Sequence, residues 1–380
     1  MRDPIIPAMS AASPRLRHGR VRTNGESGCQ SQKNRGSHLF RTFEHKLSTL
    51  SCDHELYSDT YIVQLLLRNL TVIINTGQRT DIPAFYAKWF INRIEEGFVL
   101  VRNPFNPHQV TRYRLNPDIV DAICFCTKNP APMLPYLKKL HSFRQVWHVT
   151  ITPYGREIEP NVPPVNDVIR SFRSLSASLG KRKVIWRYDP IFLSSTYTAE
   201  KQLDAFSYIA ASLKGYTETC VFSFIDLYAK TIRNFPEVHR VSHDQQRLLV
   251  KEMVSIAGRN GMELAACHED PGLGFLGADM GGCLSPKRIE KALGIPLIVP
   301  ASAKEVRPGC RCLLGHDIGA YNSCAHFCRY CYANYDREKV LENRKSHDPL
   351  SPFLIGHEEM GDTITEARQA SWIDRETSLF

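Results

Sequence analysis

The chain has 380 residues, 43% of them hydrophobic, which is enough to bury the core of one large domain or two ordinary ones. No run of about 18 apolar residues occurs and no secretory signal pattern opens the chain, so we expect neither a membrane span nor a membrane partner. Twelve cysteines are too sparse for a disulfide scaffold at this length, and they favour a metal protein in a reducing cytoplasm.

Residues 1–68 are rich in Arg, Ser, Gly and His and lack sustained hydrophobic periodicity. This composition predicts a disordered or spurious N-terminal leader, with a basic nucleic-acid-binding arm as the alternative. Residues 1–50 alone carry +6 of the formal net charge of +9. The charge of the remaining chain therefore does not support a nucleic-acid partner.

From Val72 onward, short apolar runs alternate with longer amphipathic stretches. The apolar runs predict strands at Val72–Asn75, Ala122–Cys126, Val146–Ile151, Lys183–Tyr188, Cys220–Ile225 and Glu263–Cys267. The amphipathic stretches predict helices at Ala84–Glu96, Pro132–Leu140, Asn166–Leu179, Ala199–Lys214 and Asp244–Asn260. Phe98–Leu115 interrupts the rhythm and predicts a hairpin around Pro104–Pro107. Alternation of this kind predicts a parallel α/β sheet or barrel over residues 72–336, followed by a polar C-terminal tail over 337–380.

Polar side chains suited to ligand binding follow the predicted strands. In parallel α/β folds, sites assemble at the carboxyl ends of the strands. Glu269 and Asp189 are the candidate catalytic groups, although Glu269 also fits a surface carboxylate, and Asp189 fits an internal salt bridge with Arg187. The other candidates at strand ends are Arg79, Asp81, Lys128 and Asp226.

Three cysteines form a C-x3-C-x2-C pattern late in the chain: Cys324, Cys328 and Cys331. Three thiolates on one short loop can hold three corners of a [4Fe-4S] cluster, whereas a cluster ligated only by protein needs four. The missing ligand leaves one iron free to bind a small molecule. A zinc site, the alternative, normally closes its tetrahedron with a fourth Cys or His.

Four further cysteines, Cys267, Cys283, Cys310 and Cys312, supply the thiolates that a closed iron–sulfur cluster or a zinc site needs. Cys310 and Cys312 lie in a predicted turn, which favours metal ligation. We predict a second metal centre here, an auxiliary iron–sulfur cluster in preference to zinc. Ordinary buried thiols are the alternative.

Several stretches resemble a bacterial family, domain-of-unknown-function family 1848, whose hallmark is a radical-SAM-like cysteine cluster at the C-terminal end. They include RTDIPAFYAKWF at 79–90, VLVRNPFNPHQV at 99–110 and DIGAYNSCAHFCRYCYANY at 317–335. The resemblance covers nearly the whole of the predicted globular part. It implies membership of that family, to which no function is assigned.

A second resemblance is to the spore photoproduct lyase-like branch of radical S-adenosylmethionine (SAM) enzymes, with the motifs in rotated order. The matching segments are Thr80–Pro83, Thr127–Pro130 and Ile158–Pro163; in that branch the cysteine loop precedes them. The resemblance implies a partial (β/α) parallel barrel of radical SAM type, circularly permuted so that the cluster loop is C-terminal. A strand from Leu313–Tyr321 would then lie beside Val72–Asn75.

The same resemblance implies an enzyme that reductively cleaves SAM to start radical chemistry on an unknown substrate. Lys128 would bind the SAM carboxylate and Tyr330 would pack on the adenine, while Arg79, Asp81, Arg187 and Asp226 would contact SAM or substrate. Flavodoxin or ferredoxin would serve as reductant. The alternative class is a non-catalytic iron–sulfur or zinc protein for sensing or nucleic-acid binding, and DNA repair is a minor alternative within the enzyme class.

Overall fold

The computed structural model describes residues 72–300, 310, 312–313 and 316–373. The predicted leader, residues 1–68, lies outside the described residues. Within them, no helix combines the length and the apolar character that crossing a bilayer requires.

Ten strands occur in the part of the chain that the structure describes: β1 (Ile73–Asn75), β2 (Phe98–Asn103), β3 (Asn106–Arg114), β4 (Ala122–Thr127), β5 (Gln145–Thr150), β6 (Val184–Ile191), β7 (Thr219–Phe224), β8 (Glu263–Ala266), β9 (His316–Asp317) and β10 (Thr363–Glu366). Seven of them form one sheet in the order β8-β7-β6-β5-β4-β1-β9, and every neighbouring pair is parallel. The prediction of a parallel α/β sheet is confirmed. Among the described residues, the edge strands β8 and β9 do not pair with each other, so the sheet is open. The predicted closure into a barrel is not confirmed.

A smaller sheet contains the predicted hairpin. β2 and β3 pair antiparallel through a turn between Asn103 and Asn106, as the prolines at 104 and 107 predict. β10 adds to β3 in parallel.

The α-helices of the described residues are α1 (Ile82–Phe85), α2 (Ala87–Glu96), α3 (Val165–Leu179), α4 (Ala199–Leu213), α5 (Ala229–Asn234), α6 (His243–Arg259), α7 (Pro286–Leu293) and α8 (Arg337–Lys345). The helix predicted over Ala84–Glu96 is split at Tyr86. The one predicted over Pro132–Leu140 forms a 3₁₀ segment, Ala131–Leu140. Pro132 and Pro135 lack the backbone N–H groups that a regular α-helix uses, which accounts for the tighter turn.

One face of the large sheet packs against α2, α3, α4 and α6. In α3, apolar residues recur every three or four positions, so Val168, Phe172 and Leu175 share one buried side of the helix. They meet large sheet residues such as Trp147 and Trp186. Large aromatic side chains on this face contribute much of the buried apolar area.

The other face carries smaller side chains. Cys124, Val146, Ile185 and Val221 point from successive strands into a second apolar cluster, which α7 covers together with Cys310, Cys312 and Leu313. Because both faces of the sheet are covered, the central strands carry apolar side chains on both faces. This second apolar cluster adjoins a cavity at the carboxyl ends of the strands.

Residues 337–373, predicted from their composition to be a polar tail, contribute buried side chains to the fold. Phe353 and Trp372 are buried, and the indole of Trp89 donates hydrogen bonds to the carbonyls of Ser351 and Phe353. The carboxylate of Asp121 accepts the backbone N–H of Trp372 at 2.6 Å. A few apolar anchors in a polar segment are thus enough to fix its path.

β9 occupies the place expected for the strand that precedes the cysteine loop. It pairs in parallel with β1, with His316 opposite Ile74 and Asp317 opposite Asn75. The expectation that a strand from Leu313–Tyr321 lies beside Val72–Asn75 is confirmed. This pairing delivers the cysteine loop to the carboxyl edge of the sheet.

Candidate functional site

A cavity of about 470 Å³ opens at the carboxyl ends of the strands of the large sheet. Binding cavities for small molecules are typically about 300–1,000 Å³. The predicted site residues that line this one are Arg79, Asp81, Lys128, Arg187, Asp189, Asp226, Cys267, Cys283, Cys324, Cys328, Tyr330 and Cys331. Glu269, Cys310 and Cys312 lie outside the lining. The structure therefore brings together residues that are up to 252 positions apart in sequence, from Arg79 to Cys331.

The three cysteines of the C-x3-C-x2-C pattern share this cavity. Cys324 is buried, and Cys328 and Cys331 are half-buried. A tight turn joins the last two, since the N–H of Cys331 donates to the carbonyl of Cys328 at 3.1 Å. Phe327 has φ of 54°, a left-handed conformation that bulky residues rarely adopt. Such strained positions occur preferentially at binding and catalytic sites.

Burial raises the pKa of all three thiols. The charge of Asp81 raises the pKa of Cys324 further, Cys331 raises the pKa of Cys324 and of Cys328, and Cys324 also raises that of Cys328. The ammonium group of Lys128 acts in the opposite direction on Cys328 and Cys331. Because metal ligation requires thiolates, positive charge is needed in this part of the cavity.

Asp81 connects three separate segments at the cavity. Its carboxylate accepts the N–H of Ala84 at 3.0 Å, as the N-cap of α1, and the N–H of Lys128 at 2.7 Å. The same carboxylate lies 2.9 Å from Nε2 of His326, inside the cysteine loop. The radical SAM resemblance implies a SAM or substrate contact for Asp81. In the structure its oxygens join the segment after β1, the segment after β4 and the cysteine loop.

Lys128, predicted to bind a carboxylate of the cofactor, is paired with a carboxylate of the chain. Its Nζ lies 2.9 Å from Oε1 of Glu159 and 3.3 Å from the hydroxyl of Thr152. The hydroxyl of Tyr330 donates to the same Glu159 oxygen, and Lys128 lies 5.6 Å from the centre of the Tyr330 ring. Burial disfavours the charge of Lys128, but Glu159, together with Cys328 and Asp189, raises its pKa above the usual value.

Sequence reasoning did not assign Glu159 and His326 to the site. Glu159 lies in the Ile158–Pro163 segment, which resembles a radical SAM loop. That resemblance could have indicated Glu159 as a site residue. His326 lies between two cysteines of the loop. Its contact with Asp81 depends on two segments 245 positions apart, so no local pattern could have indicated it.

Arg187 and Asp189 form an ion pair inside the cavity lining. Burial disfavours the charge of Arg187, but the carboxylate of Asp189 and the nearby thiols of Cys267 and Cys283 raise its pKa well above the usual value. Arg79 lies 5.6 Å from the ring centre of Tyr321. The internal salt bridge considered for Arg187 and Asp189 is therefore present at the cavity wall.

The two remaining acidic candidates lie close to each other beyond β7 and β8. Oε1 of Glu269 accepts the N–H of Phe224 at 2.8 Å, and burial raises the pKa of Glu269 to about 8. Asp226 lines the cavity and accepts the hydroxyl of Tyr228 at 3.1 Å. A carboxyl group with a pKa near neutrality can exchange a proton under ordinary conditions.

The second set of cysteines forms a line of sulfur contacts. Sγ of Cys283 lies 3.3 Å from Sγ of Cys267 and 3.2 Å from Sγ of Cys312. Cys267 and Cys283 line the cavity, and Cys312 and Cys310 are buried behind them in the apolar cluster of the second sheet face. Both predicted cysteine sets therefore adjoin one cavity.

The donor set at the cavity fits a three-thiolate cluster by its chemistry. It offers three thiols on one loop, a neighbouring ammonium group and a space of ligand size. Across the described residues, no three His, Cys, Asp or Glu side chains are grouped as they would be around a bound metal ion. The fit rests on the type and number of donors, not on their spacing.

The fold and the cavity define an α/β protein with an open parallel sheet and a cysteine-lined site at the carboxyl ends of its strands. A family model described as Domain of unknown function (DUF1848) matches residues 73–333, and the chain belongs to this family. A search of curated proteins finds no match. The predicted family is thereby confirmed, and its description assigns no activity.

Proposed function

We propose that this protein is a radical SAM enzyme that binds a [4Fe-4S] cluster through Cys324, Cys328 and Cys331. The observation that carries the proposal is that these three thiols line one ligand-sized cavity at the carboxyl edge of a parallel sheet. When bound, such a cluster supplies one electron that cleaves a carbon–sulfur bond of SAM and releases a radical that abstracts hydrogen from substrate.

The strand order supports the finer description of the fold. β9 immediately precedes the cysteine loop and pairs with β1, which begins the series of strands. Moving β9 and the loop ahead of β1 in the chain would give a cysteine loop followed by the remaining strands. We therefore interpret the open sheet as a partial barrel of radical SAM type that is circularly permuted.

Charged residues of the chain would bind and orient the cofactor. Lys128 lies beside Cys328 and is held by Glu159, so a carboxylate of SAM would have to share or displace that partner. Tyr330 would pack on the adenine, although its hydroxyl is fixed by Glu159. Arg79, Arg187 and Asp226 remain the proposed SAM or substrate contacts.

Two carboxyl groups are the proposed catalytic residues. Asp189 lies in the cavity lining, paired with Arg187. Glu269 has a pKa raised to about 8 by burial, which suits a group that takes up or releases a proton. A one-electron donor of the flavodoxin or ferredoxin type would complete the system.

Anaerobic reconstitution with iron and sulfide tests the proposal. The protein should hold about four irons at this site and, once reduced, cleave SAM to 5′-deoxyadenosine. Cys331→Ala should lose the iron and the cleavage. Cys220→Ala is the matched control, because Cys220 is a buried thiol on the opposite face of the sheet and should change neither. A colourless, zinc-loaded protein that leaves SAM intact would instead identify a non-catalytic metal protein.

A further inference from the structure

A second group of thiols extends from the cavity lining, at Cys267 and Cys283, into the apolar cluster of the second sheet face, at Cys310 and Cys312. Cys283 lies between Cys267 and Cys312, with sulfur–sulfur distances of 3.3 and 3.2 Å. We propose that Cys267, Cys283 and Cys312, with Cys310 as fourth ligand, bind a single Zn²⁺ ion in a closed structural site. This inference does not depend on the proposed radical SAM activity.

The sulfur–sulfur distances favour one ion over a cluster. Four thiolates at the usual Zn–S distance of about 2.3 Å form a tetrahedron whose edge is about 3.8 Å. The thiolates of a cubane cluster each bind a different iron at a different corner, so they stand farther apart. The two observed contacts are somewhat shorter than this edge and much shorter than the spacing of cubane ligands, so they favour one zinc ion over the auxiliary iron–sulfur cluster that the sequence predicts.

The donor set matches the ion. Sites made only of sulfur ligands in a tetrahedral arrangement select zinc or iron–sulfur, and structural zinc sites use all four positions for protein ligands. In the structure the contacts are pairwise and the described thiols are not yet grouped around one point, so a bound ion would draw the outer sulfurs together. Cys310 is two positions from Cys312 and is buried in the same apolar cluster.

Neighbouring groups already support thiolates at this place. The N–H of Leu284 points at Sγ of Cys312 over 3.4 Å, a contact of the kind that orients metal-bound ligands. Arg187 is close enough to Cys267 and Cys283 to interact with their charges. A tetrathiolate site with one divalent ion is net negative, and a nearby guanidinium group offsets that charge.

The position of the four cysteines indicates what the ion would do. Cys267 follows β8, Cys283 precedes the N-cap of α7 at Ser285, and Cys310 and Cys312 come before β9. A single ion would therefore join the sheet edge, the start of α7 and the segment that leads to the cysteine loop. It would stabilise the cover of the second sheet face without taking part in chemistry.

Metal analysis of the full chain, purified without oxygen, tests this inference. The wild-type protein should contain about one zinc per chain, and replacement by Co²⁺ should give the sulfur-to-cobalt charge-transfer absorption of a thiolate site. Cys283→Ser should lose the zinc and that absorption while retaining iron. Cys331→Ala should lose the iron and retain zinc, so the two proposals fail separately. Cys220→Ser is the control that should lose neither.

Two results would overturn the inference. One is a wild-type protein that takes up neither zinc nor cobalt. The other is a Cys331→Ala variant that still contains iron with acid-labile sulfide, which would assign a cluster to the second set. If Cys283→Ser does not fold, native mass spectrometry of the wild-type chain before and after chelation decides, because a closed zinc site predicts a mass loss of one zinc ion.

Discussion

At the scale of single residues, the cavity is built from charges that neutralise one another in pairs. Lys128 pairs with Glu159, Arg187 with Asp189, and His326 lies against Asp81. A buried charge without a partner is costly, so such pairs are required wherever ionised groups leave water. Any ligand that enters the cavity competes with these partners.

The pair of Lys128 and Glu159 gives the first prediction. Lys128→Met leaves the carboxylate of Glu159, which is 2% exposed, without its cation. Breaking a buried pair by removing one partner costs about 3–5 kcal/mol, so the free energy of unfolding should fall by that amount. Urea denaturation measures it. The double variant Lys128→Met with Glu159→Gln should recover most of the loss, and equal instability of both variants would contradict the argument.

The second prediction concerns His148, a fully buried residue of β5 whose ring nitrogens have no hydrogen-bond partner among the described residues. Burial, and then the charges of Arg187 and Arg288, hold the pKa of His148 well below its usual value. In the unfolded chain His148 takes up a proton below about pH 6.5. The contribution of neutral His148 to the stability of the folded protein is therefore complete above that pH and is lost progressively as the pH drops.

Denaturation of the wild type and of His148→Met between pH 7.5 and 5 measures this effect. The variant should gain relative stability by up to about 1.4 kcal/mol for each pH unit below 6.5, because it has no proton to take up there. Replacing the exposed His239 is the control for the loss of a histidine as such. If the free energy of unfolding changed equally with pH in the wild type and in His148→Met, His148 would not be the cause of the loss of stability.

At the scale of elements, β9 is the shortest of the described strands, and it positions the cysteine loop of the site. β9 contains two residues, yet it fixes the start of the cysteine loop beside β1. Asp317 strengthens this contact, since its carboxylate accepts the N–H of Gln78 at 2.7 Å and the N–H of Gly319 at 2.9 Å. Two loops at the cavity are thus held by one side chain.

The third prediction follows from those two hydrogen bonds. Asp317→Ala leaves two backbone donors without an acceptor, and each unsatisfied buried group costs about 1–3 kcal/mol. The free energy of unfolding should fall, and the amides of Gln78 and Gly319 should exchange with solvent faster. Hydrogen exchange read by mass spectrometry or NMR measures both. Asp204→Asn, at an exposed position on α4, is the control, and unchanged exchange at Gly319 would contradict the assignment.

At the scale of the whole molecule, the order of strands in the large sheet differs from their order in the chain only at β9. The series β4, β5, β6, β7 and β8 runs outward in sequence order, whereas β9 returns across the molecule to the far side of β1. That return brings β9 beside the first strand of the described chain. It also places the three cysteines of the loop at the same cavity as Cys267 and Cys283.

The fourth prediction is that protection from hydrogen exchange decreases from the centre of the sheet to its edges. β5 has three strands on either side and is buried along almost its whole length. Amides of β4, β5 and β6 should therefore exchange only on global unfolding, and those of β8 and β9 through smaller openings. Protection of β9 equal to that of β5 would mean that the cysteine loop unfolds together with the core.

The sequence by itself was sufficient for the parallel α/β class, six strand positions and the family. Each depends on local patterns: apolar runs bounded by turn residues, alternating with amphipathic stretches, and motifs in short segments. It also indicated the two cysteine groups and the charged residues at the strand ends that line the cavity, because polar residues after parallel strands meet at one edge.

Only the tertiary structure decided the partners. That Lys128 faces Glu159, that His326 faces Asp81 and that Cys283 stands between Cys267 and Cys312 depend on side chains far apart in the chain. The burial of Trp372 in a polar segment is equally invisible to composition. Local patterns specify which face of an element is apolar, but long-range packing selects which charges and thiols meet, and that selection determines the chemistry available to the cavity.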